Sequence, residues 1–211
     1  MPRLAFENVT YRAALKDVSF SIDAGEMVTV YTQLKTDRAI LLKIAAGSEP
    51  PDHGIVRQDG YLVFARRSWL SMGGPSVLEQ LTLALVARMS VGDARARALQ
   101  SLSEWGIEDW SARQLNEMEE HELARLSLIR AIACRPDILL VDDPTAGYGV
   151  RLADHARRIL NMARDRGTAV LIASSEVETM SASDQIYTLG QGEIRGPQPS
   201  SATIIDFPAN V

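Results

Sequence analysis

The sequence predicts an α/β fold that is built around a buried parallel β-sheet. Three short, mainly apolar runs carry this prediction: Met27–Tyr31, Ile138–Val141 and Thr168–Ser174. Runs of this length without polar alternation are typical of strands that are buried on both faces of a sheet. Amphipathic helical patterns separate these runs along the chain, and that alternation favours an α/β architecture.

The composition favours a single globular domain and gives no sign of nucleic-acid binding, disulfides or a metal site. The chain has 211 residues, of which 46% are hydrophobic, and this fits one domain with a substantial core. The net charge of −5, with acids and bases interspersed, leaves no basic stripe for nucleic acid. The single cysteine, Cys134, allows no internal disulfide and agrees with a reducing compartment. The three scattered histidines have no metal-ligand spacing, so we expect no metal site.

The sequence shows no segment that would insert into a membrane. The opening stretch, MPRLAFENVTY, lacks the pattern of a signal peptide. No apolar run reaches transmembrane length. If the protein works at a membrane, we therefore expect a peripheral subunit.

The first third of the chain predicts strands, one helix and a hairpin. Leu4–Val30 reads as short strands, with apolar residues alternating with polar ones around Phe20. Apolar residues at helical spacing follow Met27–Tyr31 and predict a helix that ends at Gly47. Gly54–Phe64 has the pattern of a hairpin with its turn at Asp59-Gly60.

The middle of the chain predicts helices, and the end predicts a helix and a hairpin. A helix begins after Ser76, which is a good N-cap because Glu79 follows three residues later. Further helices are predicted over Val91–Trp105, Met118–Cys134 and Arg151–Arg166. The closing hairpin pairs Ile186–Leu189 with Gly192–Arg195, and the residues after Pro197 are expected to form a loose tail.

Two motifs carry a family resemblance. The stretch RAIACRPDILLVDDPTAG resembles the end of the signature helix and the Walker B strand of ABC-transporter ATPase subunits. The opening LKDVSFSI, followed by Gly-Glu, is similar to the antiparallel entry region of the same family. The DDPTAG motif and the closing hairpin look most similar to the lipoprotein-release, MacB-like and cell-division members. The resemblance covers about residues 3–196.

The resemblance implies a specific α/β architecture. We expect a RecA-like P-loop NTPase core of ABC type, with an antiparallel β subdomain and an inserted helical subdomain. The core with its β subdomain is predicted over residues 1–66 and 134–211, and the helical subdomain over residues 67–133.

The phosphate-binding loop is where the sequence departs most from the family. The motif GxxxxGK[ST] falls on residues 32–40, which read TQLKTDRAI and include no glycine. Glycines let successive backbone N–H groups turn toward phosphate. The family lysine is replaced by Arg38, the magnesium-binding hydroxyl by Ala39 followed by Ile40, and Asp37 adds a negative charge. These changes predict weak or absent nucleotide binding.

The other nucleotide-contacting positions also differ from the family. Tyr11 stands where the family has an aromatic that stacks on adenine, but it is equally well an ordinary strand aromatic. Arg66 replaces the glutamine that senses magnesium, and Ser175 replaces the histidine near the γ-phosphate. The LSGGQ signature falls on Met118–Glu122, MEEHE, whose acids suit a helix start but repel phosphate. The loop aspartate after Gly147 is lost.

Two carboxylates remain from the catalytic set. Asp142 corresponds to the family aspartate, and Asp143 is one methylene shorter than the glutamate that acts as general base. The alternative is that these acids cap the following loop or pair with nearby arginines. We therefore treat Asp142, Asp143 and Ser175 as vestigial catalytic residues, and Tyr11, Arg38, Ala39, Ile40 and Arg66 as vestigial nucleotide contacts.

These observations predict a pseudo-ATPase. We expect a non-catalytic ABC-type subunit that docks on integral membrane permease-like proteins, as a homodimer or as a heterodimer with another ATPase subunit. It would lie on the cytoplasmic face of the cell membrane, with no cofactor expected. Two alternatives stay open: a diverged subunit that still binds ATP and Mg²⁺ and hydrolyses slowly, and a soluble protein-binding adaptor.

Overall fold

Two β-sheets and five α-helices make up the described part of the chain. The computed structural model describes residues 1–65, 75–144, 149–176 and 181–199. In chain order the elements are β1 Leu4–Tyr11, β2 Leu15–Ile22, β3 Met27–Tyr31, α1 Lys35–Ala45, β4 His53–Gln58, β5 Leu62–Ala65, α2 Val77–Leu85, α3 Val91–Glu104, α4 Glu120–Ala133, β6 Ile138–Asp142, α5 Gly149–Asp165, β7 Ala169–Ser174, β8 Gln185–Gly190 and β9 Glu193–Pro199. Two short 3₁₀ turns, Glu108–Trp110 and Leu115–Glu117, connect α3 to α4.

The larger sheet has six strands in the order β5-β6-β7-β3-β8-β9. All neighbouring strands are parallel except β8 and β9, which form the predicted antiparallel hairpin. The predicted strands Met27–Tyr31 and Ile138–Asp142 both belong to this sheet, with β7 between them. The expectation of a parallel sheet that contains both is confirmed.

The smaller sheet is antiparallel, in the order β2-β1-β4. The hairpin predicted over Gly54–Phe64 is wrong, because β4 pairs with β1 whereas β5 pairs with β6. Gly60, with φ of 119°, carries the chain from one sheet to the other close to Asp137. A Cβ atom at Gly60 would lie 2.5 Å from the Asp137 Cβ, so only glycine fits this crossing.

The apolar strands are buried because both faces of the larger sheet are covered. In β6, Leu139 and Val141 pack with the apolar residues of α2–α5. Ile138 and Leu140 face the other way and pack with α1 and the smaller sheet. This two-sided burial is the reason why the strand sequences show no polar alternation.

The helices begin close to the predicted positions. Ser76 and Glu79 form the predicted capping box at α2, and Ser90 caps α3 through the Asp93 N–H. Helix α4 begins at Glu120, two residues after the predicted start. Within the described ranges, no helix combines the length and apolarity needed to cross a bilayer. The division into a core and a helical subdomain at residues 66 and 134 stays a prediction.

Candidate functional site

The candidate site lies at the carboxyl edge of the larger sheet. Strands β3, β7 and β6 are adjacent and parallel, so Tyr31, Ser174 and Asp142 end at the same edge. Open α/β sheets place ligands outside the carboxyl ends of their strands. We call the side chains gathered here the carboxyl-edge site.

The segment between β3 and α1 is short, and the helix begins inside the stretch that aligns with the phosphate-binding loop. Only Thr32, Gln33 and Leu34 separate the strand from the helix. The backbone N–H groups of Asp37 and Arg38 donate to the Leu34 carbonyl at 3.1 and 3.2 Å. The last part of the predicted loop is therefore the first turn of α1, and these two N–H groups form hydrogen bonds within the chain.

The structure brings Arg38, Asp142 and Asp143 together. Arg38 Nε lies 3.4 Å from Asp142 Oδ1, and Arg38 Nη2 lies 3.0 Å from Asp143 Oδ2. The side chains of Arg38 and Asp143 are only 9% and 8% exposed, whereas that of Asp142 is 39% exposed. In the structure, Asp142 and Asp143 thus pair with a nearby arginine, which is one of the alternatives that the sequence left open.

The Asp143 carboxylate has its hydrogen-bonding capacity filled. Besides Arg38, it accepts from Ser174 Oγ at 2.8 Å, Ser175 Oγ at 3.1 Å and the Ser175 N–H at 3.3 Å. A carboxylate offers about four lone-pair sites, and these donors occupy that number. Asp143 also has a φ of 46°, with its N–H donating to the Ala173 carbonyl. In this arrangement it is not free to accept a proton from a water or substrate.

The first turn of α1 offers no magnesium ligand of the family type. Ala39 and Ile40 lack a hydroxyl and are half-buried, with Ile40 packed against the core. Asp37 is buried, and burial raises the pKa of its carboxyl although a hydrogen bond from Thr36 lowers it. Among the described residues, no group of three or more His, Cys, Asp or Glu side chains is arranged to hold a metal.

Tyr11 is held by neighbouring side chains. Its ring belongs to the core beneath the smaller sheet, and its hydroxyl donates to Glu49 Oε1 at 2.6 Å. This hydrogen bond raises the pKa of Tyr11. The Arg12 guanidinium carbon lies 5.0 Å from the ring centroid and covers part of the ring. These contacts are those of a structural strand aromatic, the alternative that the sequence left open.

The residues at the signature position form the start of α4. The Glu119 N–H donates to Glu122 Oε2 at 2.9 Å, and Arg113 binds the same carboxylate through two nitrogens at 2.7 and 2.8 Å. Arg113 lowers the pKa of Glu122. Met118 is buried, and His121 contacts Glu119 at 3.1 Å. The interpretation of MEEHE as a helix start agrees with these contacts.

One predicted position lies outside the described residues, and some partners were missed. Arg66 lies outside the described ranges. Gly149, which stands where the family has the loop aspartate, is the first residue of α5. Sequence reasoning missed Ser174, although a hydroxyl at the end of an apolar strand is a recognisable signal. It also missed Glu49, for which no local pattern gives a signal.

Comparisons with known proteins give a consistent result. The sequence profile of the family described as "ABC transporter" matches residues 15–146. The zinc import ATP-binding protein ZnuC of Roseobacter denitrificans is 32% identical, over 84% of this chain and 70% of that protein. The spermidine/putrescine import ATP-binding protein PotA of Pseudomonas aeruginosa is 26% identical, over 98% of this chain but only 62% of that protein.

Solved structures support the same fold. A putative metal-chelate type ABC transporter in an inward-facing conformation superposes with a TM-score of 0.85 at 18% identity, covering 95% of this chain and 84% of that one. The dimeric structure of MJ0796, a bacterial ABC transporter cassette, superposes with a TM-score of 0.83 at 21% identity. The match covers 95% of this chain and 100% of that one. The expected ABC-type fold is therefore confirmed.

Proposed function

This chain belongs to the ABC transporter family, and we propose that it is a member that has lost ATP turnover. In this proposal it acts as a structural or regulatory subunit of a membrane transport complex. The supporting observation is the ion-pair group Arg38–Asp142–Asp143, which fills the carboxyl-edge site with the chain's own charges.

The charge of the carboxyl-edge site argues against a bound triphosphate. Arg38 is the only cation in its ion-pair group, and both of its contacts are carboxylates. Asp37 adds a third carboxyl at the same helix start. A phosphate would have to displace buried, well-bonded partners and approach several acids, and the low-dielectric interior strengthens that repulsion. The substitutions in the loop add to this effect, because residues 32–40 include no glycine and Ala39 stands where the family has the magnesium-binding hydroxyl.

Direct binding measurements test the loss of nucleotide binding. Equilibrium dialysis with labelled ATP and Mg²⁺ is expected to give no saturable binding at cellular concentrations. Arg38→Lys restores the family charge but neither the loop nor the hydroxyl, so it should also show none. Asp154→Asn, on the exposed surface of α5, is the matched control. Micromolar affinity at the carboxyl edge in the unmodified protein would contradict the proposal.

The partners and location are part of the same proposal. The relatives named above are import ATP-binding subunits, which supports permease-like integral membrane partners on the cytoplasmic face and pairing with itself or with another ATPase subunit. The finer placement beside lipoprotein-release, MacB-like and cell-division subunits rests on DDPTAG and the closing hairpin. Identification of the membrane proteins that co-purify tests both statements. Recovery with soluble proteins only would favour the adaptor alternative.

The alternative of a slow ATPase is supported by one observation. Asp142 keeps the family residue and is partly exposed, so one metal-binding carboxylate is still accessible. In that case Mg²⁺-dependent turnover should be measurable in the purified chain and should fall when Asp142 is changed to Asn. We favour the pseudo-ATPase because Asp143 has no free acceptor for the proton that hydrolysis releases.

A further inference from the structure

A cavity lies at the amino edge of the larger sheet, on the opposite side from the carboxyl-edge site. It is lined by the connection from α4 to β6 and by the connection from α5 to β7, which lead into neighbouring parallel strands. Its volume is about 380 Å³, which lies within the range of about 300–1,000 Å³ that is typical of small-molecule sites. We call it the amino-edge cavity.

Hydrogen bonds between the two connections hold the walls of the amino-edge cavity. Thr168 Oγ1 donates to the Pro136 carbonyl at 2.8 Å, and the Ala169 N–H donates to the Asp137 carbonyl at 2.9 Å. The Thr168 N–H also donates to the Ala163 carbonyl at 3.1 Å. The cavity is therefore part of the folded framework, as is usual for binding sites of small molecules.

Two guanidinium groups give the amino-edge cavity a positive side. Arg135 and Arg166 both line it. Among the described residues, no ion pair includes Arg135. Arg166 Nη2 lies 3.8 Å from Glu104 Oε2, and the same glutamate lies closer to Arg97, at 3.3 Å. A guanidinium presents its N–H donors in a planar fork that matches a carboxylate, so this side of the cavity suits a carboxylate ligand.

The backbone of Arg135 is a second sign that its side chain has a use. Arg135 has a φ of 48°, and its N–H donates to the Ile132 carbonyl at 3.0 Å, which closes the end of α4. Glycine is the usual residue at this position after a helix, because a side chain is disfavoured in the left-handed region. Residues held in such conformations cluster at ligand sites. An arginine therefore lines the cavity at a position where the backbone alone would favour glycine.

Asp137 gives the amino-edge cavity a negative side. Its Oδ2 accepts from the Tyr61 N–H at 2.8 Å, whereas Arg3 Nη2 lies 3.7 Å from its Oδ1, which is too far for a hydrogen bond. A carboxylate offers about four acceptor sites, so Asp137 keeps capacity for a further donor. The carboxyl ends of α4 and α5, which carry the negative ends of the helix dipoles, flank the same cavity.

We propose that the amino-edge cavity binds a free apolar amino acid in its zwitterionic form. The ligand carboxylate would pair with Arg135 and Arg166, and its ammonium group with Asp137. A simple anion would meet the Asp137 carboxylate and a simple cation would meet two arginines, so a ligand with both charges fits best. The apolar part of the lining, against which the ligand side chain would pack, consists of Ile132, Pro136 and Ala163. The proposal does not depend on whether the carboxyl-edge site binds ATP.

Isothermal titration calorimetry of the full chain tests the need for both charges. L-leucine is compared with isocaproate, which lacks the ammonium group, and with isoamylamine, which lacks the carboxylate. We expect saturable binding of leucine at one site and binding of each analogue that is weaker by about tenfold or more, because each loses one charged contact. No saturable binding of leucine at millimolar concentrations, or an analogue that binds as tightly as leucine, would overturn the proposal.

A variant of Arg135 tests the positive side of the cavity. Arg135→Gly removes the guanidinium and relieves the left-handed backbone, so the protein should stay folded while leucine binding weakens by about tenfold or more. Arg12→Gly is the matched control, because Arg12 is an exposed arginine with the same φ of 48° in the turn between β1 and β2. Melting curves establish that both variants are folded. Unchanged leucine affinity in Arg135→Gly, or an equal loss in Arg12→Gly, would overturn the proposal.

A variant of Asp137 tests the negative side of the cavity. Asp137→Asn keeps an acceptor for the Tyr61 N–H but removes the charge, so it should weaken leucine binding without weakening isocaproate binding. Asp59→Asn is the matched control, because Asp59 also pairs with Arg3, at 3.0 Å, and does not line the cavity. Leucine affinity that Asp137→Asn leaves unchanged would show that the ammonium group is not recognised there, and the proposal would be wrong.

Discussion

At the scale of single residues, Arg38 connects the start of α1 to the two acids at the end of β6. Its guanidinium is the one cation within 4 Å of the buried Asp143 carboxylate in the described ion pairs. Removing one partner of a buried ion pair leaves the other charge uncompensated, whereas replacing both partners with apolar residues can be neutral or stabilising. The residue that replaces the family lysine therefore has a structural role in this chain.

Arg38→Met should accordingly destabilise the protein by about 3–5 kcal/mol. For a chain of this size, that corresponds to a melting temperature lower by about 6–20 °C. The double variant Arg38→Met/Asp143→Leu should recover much of the loss, because the orphaned carboxylate is gone. Thermal unfolding followed by circular dichroism measures both. An unchanged melting temperature in Arg38→Met would mean that the pair does not stabilise the fold.

Asp37 gives a prediction about pH. Burial raises the pKa of this carboxyl in the folded state above its ordinary value of 3.8. Ionisation of Asp37 therefore lowers the free energy of unfolding. The stability that the protonated carboxyl retains is fully present below the unfolded pKa and is lost as pH rises through the folded pKa. Asp37→Asn should raise the unfolding free energy at pH 7, and the gain should vanish below pH 3.8. Asp165→Asn, at an exposed carboxylate, is the control.

At the scale of elements, α1 begins within the stretch that aligns with the phosphate-binding loop. The residues 35–38 that would curl around phosphate are already helical, and β3 and α1 are joined by three residues. None of the residues from Thr32 to Ile40 is glycine, so nothing favours the inward-turned backbone that phosphate requires. The loss of phosphate binding that we propose would thus involve the whole unit of β3, its three-residue connection and α1.

Helix α2 offers a test of local capping. Ser76 and Glu79 exchange hydrogen bonds at its start, including the Ser76 N–H to Glu79 Oε2 at 2.7 Å. Ser76→Ala should lower stability by about 1 kcal/mol. Ser76→Asp keeps an acceptor for the Glu79 N–H and should lose little. Chemical denaturation of the three proteins compares them. Equal losses for alanine and aspartate would show that the cap does not act through this acceptor.

At the scale of the whole molecule, the positions of the changes decide what an assembly can do. In this family each composite site joins the phosphate loop of one subunit to the signature of the other. Here the second part of the loop, from Lys35, belongs to α1, and the signature position is an acidic helix start. On the proposed function, pairing with an intact subunit would therefore still leave two damaged sites.

We therefore expect that this chain supplies no catalysis to the complex that contains it. Asp143→Asn in this chain should leave the ATPase rate of the purified native complex unchanged, once the rate is normalised to assembled complex. Asp154→Asn serves as the surface control. Robust turnover that Asp143→Asn abolishes would show that this chain is an active ATPase.

Local patterns in the sequence were sufficient for several features of the molecule. The apolar runs predicted β3, β6 and β7, because burial on both faces leaves a signature in consecutive residues. The capping pair predicted the start of α2. The motif around Asp142 indicated the family, whereas the altered phosphate site that the missing glycines and hydroxyl predict stays a prediction. Each of these properties depends on residues that are close together in the chain.

Tertiary structure alone decided which of those residues meet. Arg38 and Asp142 are 104 positions apart, and they come together because β7 places β3 and β6 within reach at one edge. Long-range pairing also placed β4 and β5 in different sheets, although the turn at Asp59-Gly60 had predicted a hairpin between them. The hydrogen bond from Tyr11 to Glu49 is a further contact between residues that are distant in the chain. Strand order is set by the burial of all strands together, so no local pattern encodes these contacts.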